Sequence, residues 1–294
     1  GQTIMSFDVY DITIKQFLND SLDAIEKELK GDVLFYYGEI RPHLVTVFRD
    51  IVEKIDPKSD EKRLIVILNT PGGQAETVEK MVNIIRHHYK EVFFVVPDYA
   101  MSAGTIFCMS GNKIYMDYSS SLGPIDPQVV KEGKLVPALG YLDKYDELIE
   151  KAKKGELTQA EFLILQNQDL AELRSYEQAE DLSIHLLKNF LIEFKFSDWN
   201  VHNSAGALKG KAVTAAEKEK RADEIATELC DNNKWFSHGR FINVNILTKD
   251  LKLKIEDYSL DDKLRNLIRT YNDLVIQHIR RGNYAFFVHT KNFI

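Results

Sequence analysis

A serine set among small residues, Tyr99-Ala100-Met101-Ser102-Ala103-Gly104-Thr105, follows the apolar run Val92-Phe93-Phe94-Val95-Val96. A Gly-rich turn, Asn69-Thr70-Pro71-Gly72-Gly73, follows an earlier run, Leu64-Ile65-Val66-Ile67-Leu68. One turn offers a hydroxyl and the other offers backbone N–H groups. Together they are the minimum equipment for acyl transfer through a serine nucleophile and an oxyanion hole. Each turn alone has a plainer use. Adjacent glycines let a backbone pass close to a ligand, but they also suffice for a tight strand-to-helix turn. A serine at a helix start is commonly an N-cap. Neither turn carries the Lys-Ser/Thr of a P-loop, the Gly-x-Gly-x-x-Gly of a dinucleotide site or the Gly-x-Ser-x-Gly elbow of the α/β-hydrolases.

The flanking pattern says what positions these turns. Helical spacing over 11–30 (Ile12, Phe17, Leu18, Leu22, Ile25, Leu29) ends at Gly31. Strand-like runs at 32–39, 64–68, 92–96 and 113–116 alternate with helical patterns at 43–55, 76–89 and 103–110. That alternation predicts a largely parallel sheet with right-handed crossovers, hence an α/β fold. After Gly123 the pattern turns helical, over 142–154, 158–197 and 214–231. Thr158/Glu161 and Thr214/Glu217 each fit a capping box. The small-residue stretch 203–210 between them reads as a loop. A last helix is expected over 260–279, with Ser259 as its cap. The organisation expected is therefore a core over 1–141, a helical block over 142–232 and a late core element with the C-terminal helix over 233–294.

Composition narrows the function. The chain has 294 residues, a net charge of −7 and 44% hydrophobic residues. A mildly acidic chain with no clustered basic surface is a poor nucleic-acid ligand. The two cysteines, Cys108 and Cys230, form no CxxC pair, no Cys/His set has zinc spacing, and reduced buried thiols are the expectation. No metal or organic cofactor is indicated. No apolar run reaches the ~20 residues of a membrane span. The chain reads as cytoplasmic, with membrane association left open should an N-terminal anchor precede Gly1.

Three segments, Thr70-Pro71-Gly72-Gly73, Tyr99-Ala100-Met101-Ser102-Ala103-Gly104 and Ser121-Leu122-Gly123-Pro124-Ile125-Asp126-Pro127-Gln128, together resemble the Clp protease/crotonase-fold serine peptidases. Within that group the chain is most similar to the serine dehydrogenase proteinase family, relatives of signal peptide peptidase A. Ser237-His238-Gly239-Arg240 resembles a late element of the same family. The resemblance implies Ser102 as nucleophile and the N–H groups of Gly73 and Ala103 as oxyanion hole, with Gly72, Asp126 and His238 in support. It implies a protein or peptide substrate, no ATP requirement and a homo-oligomer, a trimer or larger ring. The helical block would suit a regulatory partner or a gate over the site.

The base is the open question. Where Clp proteases carry their histidine, this chain has Asp126-Pro127-Gln128. Signal peptide peptidase relatives use a lysine at the start of a later helix, and Lys144 lies 42 residues after Ser102. A Ser102–Lys144 dyad is the expectation, with His238 as rival and Lys131, Lys134, Lys151, Lys153 and Lys154 as weaker candidates. An ordinary lysine of pKa about 10.4 is neutral roughly once in 2,500 molecules at pH 7. Bringing it to about 7–8 takes roughly 4 kcal/mol of destabilisation of the charged form, which apolar burial supplies and a solvent-facing helix does not. Two other readings share the turns: acyl-CoA chemistry on the same scaffold, and an inactive Clp-fold binding protein.

Overall fold

The computed structural model describes residues 2–55, 62–237 and 239–291. Helix α1 (Gln2–Leu29) leads into β1 (Asp32–Tyr37), followed by α2 (Val45–Lys54), β2 (Arg63–Asn69), α3 (Ala75–His88) and β3 (Glu91–Val96). A two-residue strand, β4 (Tyr99–Ala100), precedes α4 (Ala103–Met109) and β5 (Lys113–Met116). Then come β6 (Ser121–Leu122) and the hairpin β7 (Gln128–Lys131) and β8 (Lys134–Pro137). The helical block comprises α5 (Leu139–Lys153), α6 (Gln159–Gln166), α7 (Leu170–Phe190), α8 (Ala215–Leu229) and α9 (Asn232–Trp235). The chain closes with β9 (Glu256–Asp257), α10 (Asp262–Gly282) and β10 (Phe287–Thr290).

The main sheet has six strands in the order β10-β1-β2-β3-β5-β9, and β10 alone runs antiparallel to its neighbour. Its central strands are covered on both faces, which is why they read as continuous apolar runs. Alternate side chains separate the two sides. Leu34, Tyr36, Val66, Leu68, Phe94 and Val96 enter the core shared with α2, α3 and α4. Val33, Phe35, Ile65, Ile67, Phe93 and Val95 enter a second core under α1 and α10. This is the α/β, mainly parallel arrangement that the alternation of strands and helices predicts.

Beyond the C-terminal ends of β2, β3 and β5 the turns pair again in a small second layer. β4 pairs with β6, Thr70 bridges to Ala100, and Leu122 bridges to Ile242. Hence the Gly-rich turn, the serine turn and the loop after Ser121 lie side by side.

The helical block does not have one core of its own. Leu186, Leu187 and Phe190 of α7, and Ala222, Ile225 and Leu229 of α8, join the core of the sheet. Only Ala138, Leu142, Leu173 and Tyr176 form a small separate cluster, joining α5 to the first half of α7. Both capping boxes are present as expected. The cap of α10 is a correction: the Asp261 carboxylate, not Ser259, accepts the Leu264 N–H, and the Ser259 hydroxyl donates instead to Asp257. The 158–197 pattern is also broken. Asp169 caps a new helix by accepting from Ala171 and Glu172, and a π-helical turn over 191–195 ends it. The hairpin β7–β8 and strand β10 pair antiparallel, outside the strand–helix alternation from which the sheet is read, and the sequence does not anticipate them. Cys108 and Cys230 are buried and unpaired, and burial pushes both thiols up.

Candidate active site

Ser102 sits between β4 and α4 with φ 53° and ψ −113°. L-residues rarely occupy that region, and such strain concentrates at functional sites. The strain has local causes. Met101 N–H is taken by Thr70 O at 3.0 Å, and Gly104 N–H by Met101 O at 2.8 Å. The chain is thus pinned on both sides of Ser102 while it turns from strand to helix. It is the backbone strain of a nucleophile elbow, with Gly104 at that motif's second glycine and Ala100 in place of its first. Sequence reasoning missed it because the cause lies in Thr70, more than a helix away.

The Gly-rich turn closes against this serine. Gly72 has φ +110°, and a Cβ there would stand 2.8 Å from Met101 O and 3.0 Å from Ser102 Cβ. Thr70 Oγ1 accepts the Gly72 N–H at 3.1 Å and shapes the turn. Ile40 pairs beside Gly73: Ile40 N–H donates to Gly72 O at 2.8 Å, and Gln74 N–H donates to Ile40 O at 3.0 Å. These bonds use the groups on either side of Gly73 and leave its own N–H without an acceptor among the described residues. Ala103 opens α4, where a helix N–H has no intrahelical acceptor. Gly73, Ser102 and Ala103 line one cavity of about 10 Å³, space for about one water. The structure therefore brings together the serine and the two donors expected from the sequence.

Asp126 also meets this site, through its backbone. Its carbonyl accepts from Ser102 Oγ at 3.3 Å and from Gln128 Nε2 at 2.9 Å, while its carboxylate accepts the Leu139 N–H at 3.0 Å. Thr105, not singled out from the sequence, fastens the serine turn to the same loop. Its hydroxyl donates to Gly123 O at 2.8 Å and accepts the Gly123 N–H at 3.1 Å.

Access is narrow. Ser102 is 3% exposed. Ala179 and Ser183 of α7 and Gln128 of β7 lie across the cavity. Among the described residues, Glu76 from the first turn of α3 is the one ionisable residue that lines it, and no lysine or histidine does so.

Lys144 is placed elsewhere. It projects from α5 with its side chain 61% exposed, its ammonium 3.4 Å from Glu147, and it lines a separate depression with Asp143, Asp146 and Glu150. Hydration and an acidic neighbourhood are the opposite of what a neutral lysine base requires. The helical spacing explains the outcome: the apolar positions Leu139 and Leu142 turn inward and carry Lys144 outward. Lys131, Lys151 and Lys153 bond Glu172, Glu161 and Glu150, and those carboxylates hold their ammonium groups above the usual range. Lys134 and Lys154 are exposed. His238 lies outside the described residues. Lys195, which the sequence did not single out, is the one described lysine pulled down, to about 8 by burial. It ends the π-helical turn near Lys113 and Glu256, at the β5–β9 edge, and does not line the cavity of Ser102.

The profile of the ClpP-like SDH-type serine proteinases matches residues 45–208, more than half of the chain and all three turns. The chain belongs to this family. Two proteins of Methanocaldococcus jannaschii, both described as uncharacterized, are similar in sequence. One is 29% identical over 140 residues, which make up 48% of this chain and 44% of the relative. The other is 35% identical over 80 residues, 27% of this chain and 28% of the relative. The chain thus spans less than half the length of these relatives. Solved structures of a membrane-bound stomatin-specific protease, 1510-N, are similar at TM-score 0.42. One, a serine-to-alanine variant, is 14% identical over 78% of this chain and 80% of that chain. The other, a lysine-to-alanine variant with a substrate peptide, is 16% identical over 76% and 74%. Within this family of serine proteinases, Ser102 occupies the strained turn facing the Gly-rich loop. Among the described residues no helix is long and apolar enough to cross a membrane, and no group of acidic, His or Cys side chains could hold a metal ion.

Proposed function

We propose that the chain is a serine peptidase that cleaves protein or peptide substrates through an acyl-enzyme on Ser102. Ser102 Oγ attacks the carbonyl carbon while its proton passes to a base. The N–H groups of Gly73 and Ala103 hold the oxyanion, and collapse expels the amine. Water then attacks the ester and releases the acid. The observation that carries this reading is the strained Ser102 backbone beside an unused Gly73 N–H, in one cavity. Removing one oxyanion donor typically lowers kcat by about 10²–10³.

Lys144 remains the proposed base, and it requires a rearrangement. α5 and the first half of α7 share a small cluster separate from the main core. Displacing that unit would open the Ala179 side of the cavity, and a side-chain rotation within α5 would release Lys144 from Glu147. The arrangement described here is then a resting state, with the Ser102 hydroxyl parked on the Asp126 carbonyl. The homo-oligomer and regulatory partner implied by the resemblance belong to the same proposal, and the exposed Phe162, Leu163 and Ile164 of α6 offer apolar surface for either. The buried serine, with no lysine or histidine lining its cavity among the described residues, also favours a second reading, a Clp-fold binding protein without catalysis.

Fluorophosphonate labelling mapped by mass spectrometry tests both. Label on Ser102 that is lost in Ser102→Ala and Lys144→Ala supports the dyad. Label lost only in Ser102→Ala moves the base elsewhere. No label, even after limited proteolysis within α6 that leaves α5 and Lys144 in place, favours the binding protein.

A further inference from the structure

The two catalytic turns hang from different strands, and their separation sets the distance from nucleophile to oxyanion donors. Backbone pairing through Thr70, Tyr99 and Met101 supplies part of that register. A second connection comes from the opposite face of the sheet. Asn272 interrupts the apolar stripe of α10, between Ile268 and Tyr271 on one side and Val275 and Ile279 on the other, and is 4% exposed. Its Oδ1 accepts from Asn69 Nδ2 at 3.1 Å, and its Nδ2 donates to Asp98 Oδ2 at 2.8 Å. Asn69 is the last residue of β2 and precedes the Gly-rich turn. Asp98 precedes β4 and the serine turn, and its carbonyl accepts the Ser121 N–H at 3.0 Å. One buried amide thus joins the roots of both turns and, through Asp98, the loop that reaches Asp126.

Stability alone does not account for this arrangement. Asn69 Oδ1 is buried and has no hydrogen-bond partner among the described residues. An orphaned buried acceptor is a penalty that an apolar pair of the same shape would avoid. An asparagine in the apolar stripe of an amphipathic helix is also disfavoured unless its bonds are needed. The bonds run to two loops distant in sequence, so their effect is geometric: Asn69 and Asp98 are held at a fixed separation.

We infer that Asn272 is a positioning residue of the active site, holding the oxyanion turn and the nucleophile turn in register from the far face of the sheet. The inference rests on the peptidase reading for its kinetic consequence, but its structural consequence stands apart from that reading.

The test compares Asn272→Leu, which keeps size and loses both bonds, with Asp98→Ala, which removes one acceptor, and Asp98→Asn, which keeps an acceptor oxygen. Labelling of Ser102 by a fluorophosphonate is measured where circular dichroism finds each variant folded. Asn272→Leu and Asp98→Ala should lower the labelling rate by about 10- to 100-fold, Asp98→Asn should stay within about threefold of wild type, and peptide cleavage should lose kcat with KM little changed. The double variant Asn272→Leu/Asp98→Ala should be no slower than the worse single one, because both cut the same connection. Wild-type labelling by folded Asn272→Leu, or equal losses in Asp98→Asn and Asp98→Ala, overturns the inference. If wild type takes no label even after the limited proteolysis described above, the peptidase reading fails, and amide resonances decide this one. Shifts at Gly72, Gly73 and Ala103 in Asn272→Leu support positioning, and unmoved resonances overturn it.

Discussion

Adding one methyl group at Gly72 should separate the two turns. The backbone there has φ +110°, and an alanine Cβ would sit 2.8 Å from the Met101 carbonyl oxygen and 3.0 Å from Ser102 Cβ. Holding a non-glycine residue in such a conformation costs about 1–3 kcal/mol. Relief of the contact with Met101 O requires a shift of roughly half an ångström, and overpacking of this kind costs about 1–3 kcal/mol more. Gly72→Ala should therefore lose about 2–6 kcal/mol in a urea titration, at unchanged m-value. Met101 is bonded into the turn through Thr70, so the shift passes to Ser102 rather than to solvent. Misplacement on that scale should slow fluorophosphonate labelling by about 10²-fold. Gly140→Ala is the matched control: it lies in α5 with nothing within 4 Å of an added Cβ, and should gain about 0.5–1 kcal/mol from helix propensity. The reasoning is refuted if Gly72→Ala labels at the wild-type rate and melts with the wild type while Gly140→Ala behaves as expected.

Ser102→Gly should do the reverse to stability: it removes the label and raises the unfolding free energy in a urea titration by about 1 kcal/mol or more of relieved strain, whereas Ser102→Ala removes the label without that gain. A second expectation concerns acid. His289 is fully buried, accepts from the Tyr271 hydroxyl and donates to Asn19 Oδ1, and burial, with the nearby His278, pulls its imidazole down to about 4. Protonation favours the unfolded chain, so its contribution is complete above the unfolded value of 6.5 and is lost as pH falls from there toward 4, by roughly 3 kcal/mol. In chemical denaturation between pH 7 and 4, His289→Gln should show a shallower fall in stability than wild type, and parallel curves would dismiss the assignment.

Much of the site was legible because its parts are local. A strand that is buried on both faces is a run of β-branched and aromatic residues, and a turn that brings backbone close to backbone needs glycine. Val92–Val96 and Gly72-Gly73 therefore announce themselves one residue at a time. Ser102, Gly73 and Ala103 are singled out by the likeness of those turns to a known family, whereas the capping boxes at Thr158 and Thr214 follow from local chemistry. What stayed illegible depends on pairs of residues far apart in the chain. The strain at Ser102 comes from Thr70, the hold on the 121–127 loop comes from Thr105, and the link between the turns runs through Asn272 on the last helix. A polar residue in the apolar stripe of α10 was the one visible trace of that link.

Lys144 marks the same boundary from the other side. Its spacing from Ser102 matches that of a catalytic lysine, but spacing along a chain does not say which face of a helix points at the serine. Leu139 and Leu142 decide that by packing inward, and they leave Lys144 in water beside Glu147. Local residue chemistry alone determined the turns and the alternating layers. Only tertiary packing decided that α7 lies over the serine, that the ammonium faces away, and that an asparagine under the sheet ties both turns together, because each of these is a contact between segments that the sequence keeps apart.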